Sequence, residues 1–186
     1  KVEGKVVLIT GGSSGIGKAA AIKIAEAGAK VVIAARGADE LEATRKEIVD
    51  AGFLCYAYKT DLADLDSCDS LIEHVNKDFG AVDILINNAG RSIRRSIELS
   101  FDRFHDFERT MQLNYFGSLR LIMQALPKMI EHRRSHIINI SSIGVLASSP
   151  RFSAYVASKA ALDAFSSCAQ GELSGKGISF TTINMP

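Results

Sequence analysis

Short unbroken apolar runs alternate with amphipathic stretches along the whole chain. Lys5-Val6-Val7-Leu8-Ile9-Thr10 is rich in β-branched residues and ends in glycines, the mark of a strand buried on both faces. Residues 15 to 28 carry Ile16, Ala19, Ala20, Ile22 and Ile24 and predict a helix, with Gly28 as its stop. Val31 to Ala35 predicts a second buried strand, and Glu40 to Asp50 a charged surface helix closed by Gly52. The alternation repeats: a strand over Phe53 to Lys59, a helix over Asp64 to Phe79, a strand over Val82 to Asn87. A long helix over Phe104 to His132 follows, with interruptions expected at Gly117 and Pro127. His136 to Ile140 predicts a strand, Ser153 to Leu173 a helix, and Ile178 to Ile183 a last strand.

Strands that alternate with helices are joined by right-handed crossovers and lie parallel. The expected fold class is therefore α/β, a doubly wound parallel sheet of Rossmann type. No repeat, low-complexity tract or linker divides residues 1 to 186, so one domain is expected. The start, Lys1-Val2-Glu3-Gly4, lacks an initiator Met, and Asn184-Met185-Pro186 stops directly after a strand-like run. Both ends are expected to continue in a longer protein.

Composition narrows the function classes. Lys and Arg total 22 against 21 Asp and Glu, a balance that builds no long-range field for nucleic acid. No apolar run reaches the roughly eighteen residues of a membrane span. Cys55, Cys68 and Cys168 have no metal-ligand spacing, and an odd number without a disulfide framework points to a reducing compartment, the cytoplasm. No metal is expected.

The candidate chemistry begins at Thr10-Gly11-Gly12-Ser13-Ser14-Gly15-Ile16-Gly17, between the first strand and the first helix. Glycines there let the backbone turn sharply and approach a ligand. The helix N-terminus offers free N–H groups and a positive dipole end, a combination suited to a pyrophosphate. The spacing is Gly-x3-Gly-x-Gly and resembles the cofactor loop of the short-chain dehydrogenase/reductase family. Further segments carry the same resemblance. Asn87-Asn88-Ala89-Gly90 matches the family's Asn-Asn-Ala-Gly signature, and Asp61-Leu62 looks like the pair that lines the adenine. Tyr155-Val156-Ala157-Ser158-Lys159 matches Tyr-x3-Lys, with Ser142 thirteen positions before the tyrosine, and Asn114 falls where the family has its fourth catalytic residue. The resemblance covers essentially the whole chain.

It implies hydride transfer between a nicotinamide and a carbonyl or alcohol. An unperturbed phenol, with a pKa of about 10, exchanges protons poorly at neutral pH. A lysine four residues on shares the helix face, and its charge favours the phenolate. The resemblance makes Tyr155 the acid/base, and Lys159 its helper and a ligand of the nicotinamide ribose. It makes Ser142 the donor to the substrate oxygen, and Asn114 the residue that opens a helix around a proton-relaying water. It assigns Gly11, Ser13, Ser14, Gly15, Ile16, Gly17, Asp61, Leu62, Asn88, Ala89, Gly90, Tyr155 and Lys159 to cofactor binding. The second strand ends Ala34-Ala35-Arg36 with no carboxylate to accept from a ribose 2′-hydroxyl. Arg36, with Ser13, suits a 2′-phosphate, so NADP(H) is the expected cofactor.

Substrate is less legible. Arg91-Ser92-Ile93-Arg94-Arg95-Ser96 is basic and suits either a solvated surface or an anionic group such as the phosphates of coenzyme A. That segment, Phe104 to Asn114 and Pro150 to Tyr155 are similar to the short-chain domain of bacterial two-domain fatty acyl-CoA reductases. The resemblance implies a fatty aldehyde or acyl-CoA thioester. A 3-oxoacyl or general ketone reductase is the alternative, and a non-catalytic NADP(H)-binding sensor or structural domain is the alternative of another class. The family's substrate loop would follow Pro186. Its oligomers imply a homo-oligomer here, with apolar residues from Met111 to Met129 and on the Ser153 helix at an interface, although ordinary core packing would give the same pattern.

Overall fold

The computed structural model describes residues 1–132 and 134–186. Along the chain run β1 (Val6–Thr10), α1 (Gly15–Glu26), β2 (Lys30–Ala35), α2 (Ala38–Asp50), β3 (Cys55–Lys59), α3 (Leu65–Phe79) and β4 (Ile84–Asn87). Then come α4 (Phe104–Met111), α5 (Ser118–His132), β5 (Ser135–Ser142), α6 (Ile143–Ala147), α7 (Ser153–Leu173) and β6 (Ile178–Met185). The strands form one sheet in the order β3-β2-β1-β4-β5-β6, every neighbouring pair parallel. This is the doubly wound α/β architecture that the alternation predicts.

Side chains alternate across a strand, so a strand buried on both faces supplies two cores. All five residues of β1 are buried. Leu8 joins Val32, Leu85 and Ile137 in a core completed by Leu71 and Ile72 of α3, Leu121 and Ile122 of α5, and Leu162 of α7. Its neighbours Val7 and Ile9 face the other way, with Val31, Ile33 and Ile86, onto Ala21 and Ala25 of α1 and Leu41 and Ile48 of α2. Within the sheet interior, Asn87 Nδ2 donates to Asn139 Oδ1 (2.9 Å) and Asn139 Nδ2 to Ser166 Oγ (2.7 Å). These bonds tie β4, β5 and α7 together through buried amides, although Asn87 Oδ1 takes no partner among the described residues.

The chain winds outward from β1 to β3, then returns to place β4 on the other side of β1. Loops leaving the carboxyl ends of β1 and β4 therefore diverge to opposite faces and leave a crevice, the usual ligand position in such sheets.

The expected long helix over Phe104 to His132 differs in its interruptions. The break is a π-helical turn over Gln112–Gly117, and Pro127 lies inside α5. A proline there leaves the carbonyl of residue 123 without its helical donor, and both Met123 and Pro127 lie on the exposed side, where water can serve it. The helix α6 and a 3-10 turn over Ile97–Ser100 were not predicted, being too short for a periodic signal.

Candidate active site

Two adjoining cavities open at this crevice. The larger, about 460 Å³, is lined by Gly11, Ser13 and Ser14 from the first loop, Arg36, Gly37 and Glu40 after β2, Thr60 and Leu62 after β3, Ala89 and Gly90 after β4, and Leu113. The second, about 230 Å³, is lined by Ile16, Asn88, Gly90, Ser92, Ser142, Tyr155 and Lys159, with Met185 and Pro186 at the end of β6. Gly90 belongs to both.

The first loop is held in shape from across the sheet. Thr10 Oγ1 accepts from the backbone N–H groups of Asn88 and Ala89, each at 3.0 Å, and Asn88 Nδ2 donates to the Thr10 carbonyl at 2.9 Å. Gly11 has φ +67°, and a Cβ there would press on Asn88 and Ala89. Gly17 is buried, and a Cβ on it would drive into the Gly11 carbonyl. The two glycines thus let α1 approach the turn after β1. Ser14 is the N-cap of α1 but makes no side-chain cap hydrogen bond, and the first turn carries no acidic residue. An uncapped helix N-terminus beside an open cleft is a seat for an anion, so the residues present fit a dinucleotide's pyrophosphate.

Lys159 is the least expected group for its position: an amine 4% exposed. Its Nζ donates to the Ile140 carbonyl at 2.7 Å. Burial drives its pKa down to about 8, partly opposed by the carboxylate of Asp163 one turn along α7. Asp163 is in turn held up by burial and accepts from Ser141 Oγ at 2.9 Å.

Asn114 sits in the π turn, fully buried, with every polar hydrogen and its oxygen engaged. Its Oδ1 accepts from the Arg91 N–H at 2.8 Å, and its Nδ2 donates to the Arg91 carbonyl at 2.9 Å and to Ser158 Oγ at 3.0 Å. The amide fixes the turn after Gly90. A Cβ on Gly90 would lie 3.3 Å from both Asn114 Oδ1 and Lys159 Nζ, so the loop, the π turn and α7 converge on one spot. π turns recur at functional sites because they interrupt the regular helical ladder. Ser142 ends β5, lines the second cavity and caps α6 by accepting from the Gly144 N–H at 3.1 Å.

Of the residues singled out from the sequence, Gly11, Ser13, Ser14, Leu62, Ala89 and Gly90 with Arg36 border the larger cavity, and Ile16, Asn88, Ser142, Tyr155 and Lys159 the smaller. Gly15, at φ +52°, and Gly17 line neither cavity and shape the backbone of the loop and the start of α1. Asp61 does not line the cleft: its Oδ1 accepts from the Ala63 N–H, closing its own turn, and Leu62 supplies the wall. Glu40, Thr60 and Leu113 were missed, and Thr10, which opens the glycine loop, was given no role of its own. A buried hydroxyl at the end of an otherwise apolar strand must find a partner, and that signal was available for Thr10. Cys55 and Cys68 are buried and Cys168 exposed, all free thiols. Among the described residues no group of side chains is arranged to hold a metal, and no helix is long and apolar enough to cross a membrane.

The sequence model of the short chain dehydrogenases matches residues 5–186. A fatty acyl-CoA reductase of Acinetobacter baylyi is 56% identical over 185 residues, which are 100% of this chain and 63% of that protein. The chain thus spans less than two thirds of that relative. A metagenomic short-chain oxidoreductase in complex with NADP superimposes with a TM-score of 0.93 at 31% identity, over 100% of this chain and 83% of that one. An NAD+-bound xylitol dehydrogenase gives a TM-score of 0.93 at 27% identity, over 99% of this chain and 70% of that one.

Proposed function

The chain belongs to the short-chain dehydrogenase family, and from that premise we propose that it is an NADP(H)-dependent reductase of a fatty aldehyde or acyl-CoA thioester. The observation that carries this reading is the shared cavity of Ser142, Tyr155 and buried Lys159, which meets the glycine-lined cleft at Gly90.

In this reading Gly11, Gly15, Gly17 and the N–H groups of Ser14 to Ile16 cradle the pyrophosphate, and Leu62, Ala89 and Leu113 wall the adenosine half. When bound, the dinucleotide would supply the hydride that adds to the carbonyl carbon, so that an aldehyde gives the alcohol and a thioester gives the aldehyde with its C–S bond broken and the thiol released. Tyr155 gives its phenolic proton to the carbonyl oxygen. Ser142 holds that oxygen with a hydroxyl that is free to donate, since its lone pair already serves Gly144. Lys159, a cation below about pH 8, favours the phenolate that Tyr155 leaves and anchors the ribose. Asn114 positions the Gly90–Arg91 turn, and so the floor on which the nicotinamide half rests.

Two features support an aliphatic substrate. Beyond Ser142 and Tyr155 lies a cavity of about 340 Å³ walled by Ile143, Phe152 and Val156. It shares Val156 and Ser149 with another of about 470 Å³, bordered by Ile97 and Pro150 but also by Ser96, Ser148, Arg151 and Ser153. The name of the Acinetobacter baylyi relative points the same way. The test is loss of NADPH absorbance with a panel of long-chain aldehydes, acyl-CoA thioesters and simple ketones. Faster turnover of the long-chain compounds is expected. Ketones as the best substrates would replace the fatty reading with a general carbonyl reductase.

The cofactor preference rests on Arg36. It lines the cleft at the end of β2, and the carboxylate of Glu40 folds over Gly37 at the N-terminus of α2, where the helix dipole favours it. A guanidinium is therefore the group offered to the ribose, and it pairs with a phosphate rather than a hydroxyl. Arg36→Ala is expected to weaken NADPH about tenfold or more, the scale of one hydrogen bond to a charged group, and NADH less than about twofold. Equal losses in a fluorescence titration of both dinucleotides would sink the preference.

A further inference from the structure

A further cavity, about 300 Å³, adjoins the cofactor cleft and shares Arg36 and Leu113 with it. Its other walls are Ala63, Arg91, Arg109 and Gln112. Arginines from three separate segments thus line it: the end of β2, the turn after Gly90, and α4. No carboxylate lines it. Among the described residues Arg36, Arg91 and Arg109 take no carboxylate partner, as Arg94, Arg134 and Arg151 do not, so no internal ion pair competes for the three that line this cavity. Like charges drawn to one cavity repel, and an anionic ligand relieves the repulsion.

The backbone beneath the three is built rather than loose. Asn114 clamps the Arg91 peptide from both sides. Gln112 Nε2 donates to the Ala63 carbonyl at 3.0 Å, closing the floor between the π turn and the loop after β3. Arg109 lies one turn before Leu113, so both face the same side. The volume is at the small end for a ligand pocket, enough for a phosphorylated sugar edge but not for a second dinucleotide.

We propose that Arg91 and Arg109, with Arg36 between the two cavities, form a subsite for the phosphate monoester of a nucleotide. The inference rests on the reading of the adjoining cleft as the dinucleotide site. Two sources carry this chemistry: the 2′-phosphate of the cofactor, reached from Arg36, and the 3′-phosphate of a coenzyme A thioester. Planar guanidiniums suit either, because each can give two parallel N–H bonds to phosphate oxygens.

The experiment is isothermal titration of the wild-type chain and the Arg91→Ala/Arg109→Ala double variant with four probes: NADPH, NADH, coenzyme A and dephospho-coenzyme A. Circular dichroism and the melting temperature check that the variant is folded. The expected result is a loss of about tenfold or more for one phosphate-bearing probe, with its phosphate-free counterpart unchanged, and a shallower salt dependence. A loss for NADPH but not NADH assigns the subsite to the cofactor. A loss for coenzyme A but not its dephospho form assigns it to the thioester. Unchanged affinities, or equal losses within a pair, would overturn the subsite while leaving the cofactor reading intact. A wild-type chain that binds neither dinucleotide would overturn the cofactor reading and the subsite together.

Discussion

Tyr155→Phe is expected to lower kcat for NADPH-driven carbonyl reduction by about a thousandfold, with the Kd for NADPH within about threefold of wild type. The change removes one oxygen and keeps the ring that walls the cavity between Ser142 and Lys159. Among the described residues the Tyr155 phenolic oxygen takes no hydrogen-bond partner, and the backbone carbonyl that accepts from Ser158 Oγ at 2.7 Å survives the substitution. Folding should therefore change by less than about 1 kcal/mol. A loss confined to kcat is the signature of an interaction made only in the transition state. Stopped-flow measurement of single turnovers separates chemistry from binding, and a wild-type rate in the variant would mean that the proton comes from elsewhere.

Lys159→Met should abolish turnover yet leave the protein at least as stable at neutral pH. An ammonium buried to 4% exposure is opposed by desolvation, and the lowering from 10.5 to about 8 corresponds to about 3 kcal/mol of native-state penalty. Methionine removes that penalty but leaves the Ile140 carbonyl without its donor, a cost of about 1–3 kcal/mol. The two nearly offset at pH 7. The sign changes with pH. Below about 8 both native and unfolded chains hold the proton, and the penalty is constant. Between about 8 and 10.5 the native state has released it while the unfolded state keeps it, so stability of the wild type rises with pH relative to the variant. By about pH 10.5 the wild type should be the more stable of the two. Urea midpoints for both proteins across pH 7 to 10.5 test this, and parallel profiles would refute it. The same titration predicts that kcat/KM for NADPH falls above about pH 8, because a neutral amine no longer anchors the ribose as a cation.

Much of the site was legible because it is local. A glycine turn between a strand and a helix announces a close backbone approach. Tyr155 and Lys159 four apart on a helix must share a face, and both border the same cavity. The resemblance of Asn114 to a catalytic position was legible too, but not its occupation. The expected role, opening a helix around a water, meets a π turn at the right place, yet the amide itself is spent on the Arg91 backbone and Ser158. Asp61 shows the converse: a residue in the right motif whose carboxylate closes its own turn and leaves the cleft to Leu62.

The sequence by itself determined the period of each element, and hence the parallel doubly wound sheet. Hydrophobic spacing reports which face of a segment avoids water, and that is a local property. It also determined the glycine cradle and the Tyr-x3-Lys face, since both follow from backbone geometry within a few residues. Only the tertiary structure decided which distant residues meet. The β3-β2-β1-β4-β5-β6 order brings Thr10 against Asn88 and Ala89, 78 and 79 positions away. Nothing periodic records that contact, because it depends on where the chain reverses its winding. The buried amine of Lys159 and the cavity that Arg36, Arg91 and Arg109 line together are of the same kind. Each is a consequence of packing, where desolvation and like-charge proximity arise only once separate segments share one space.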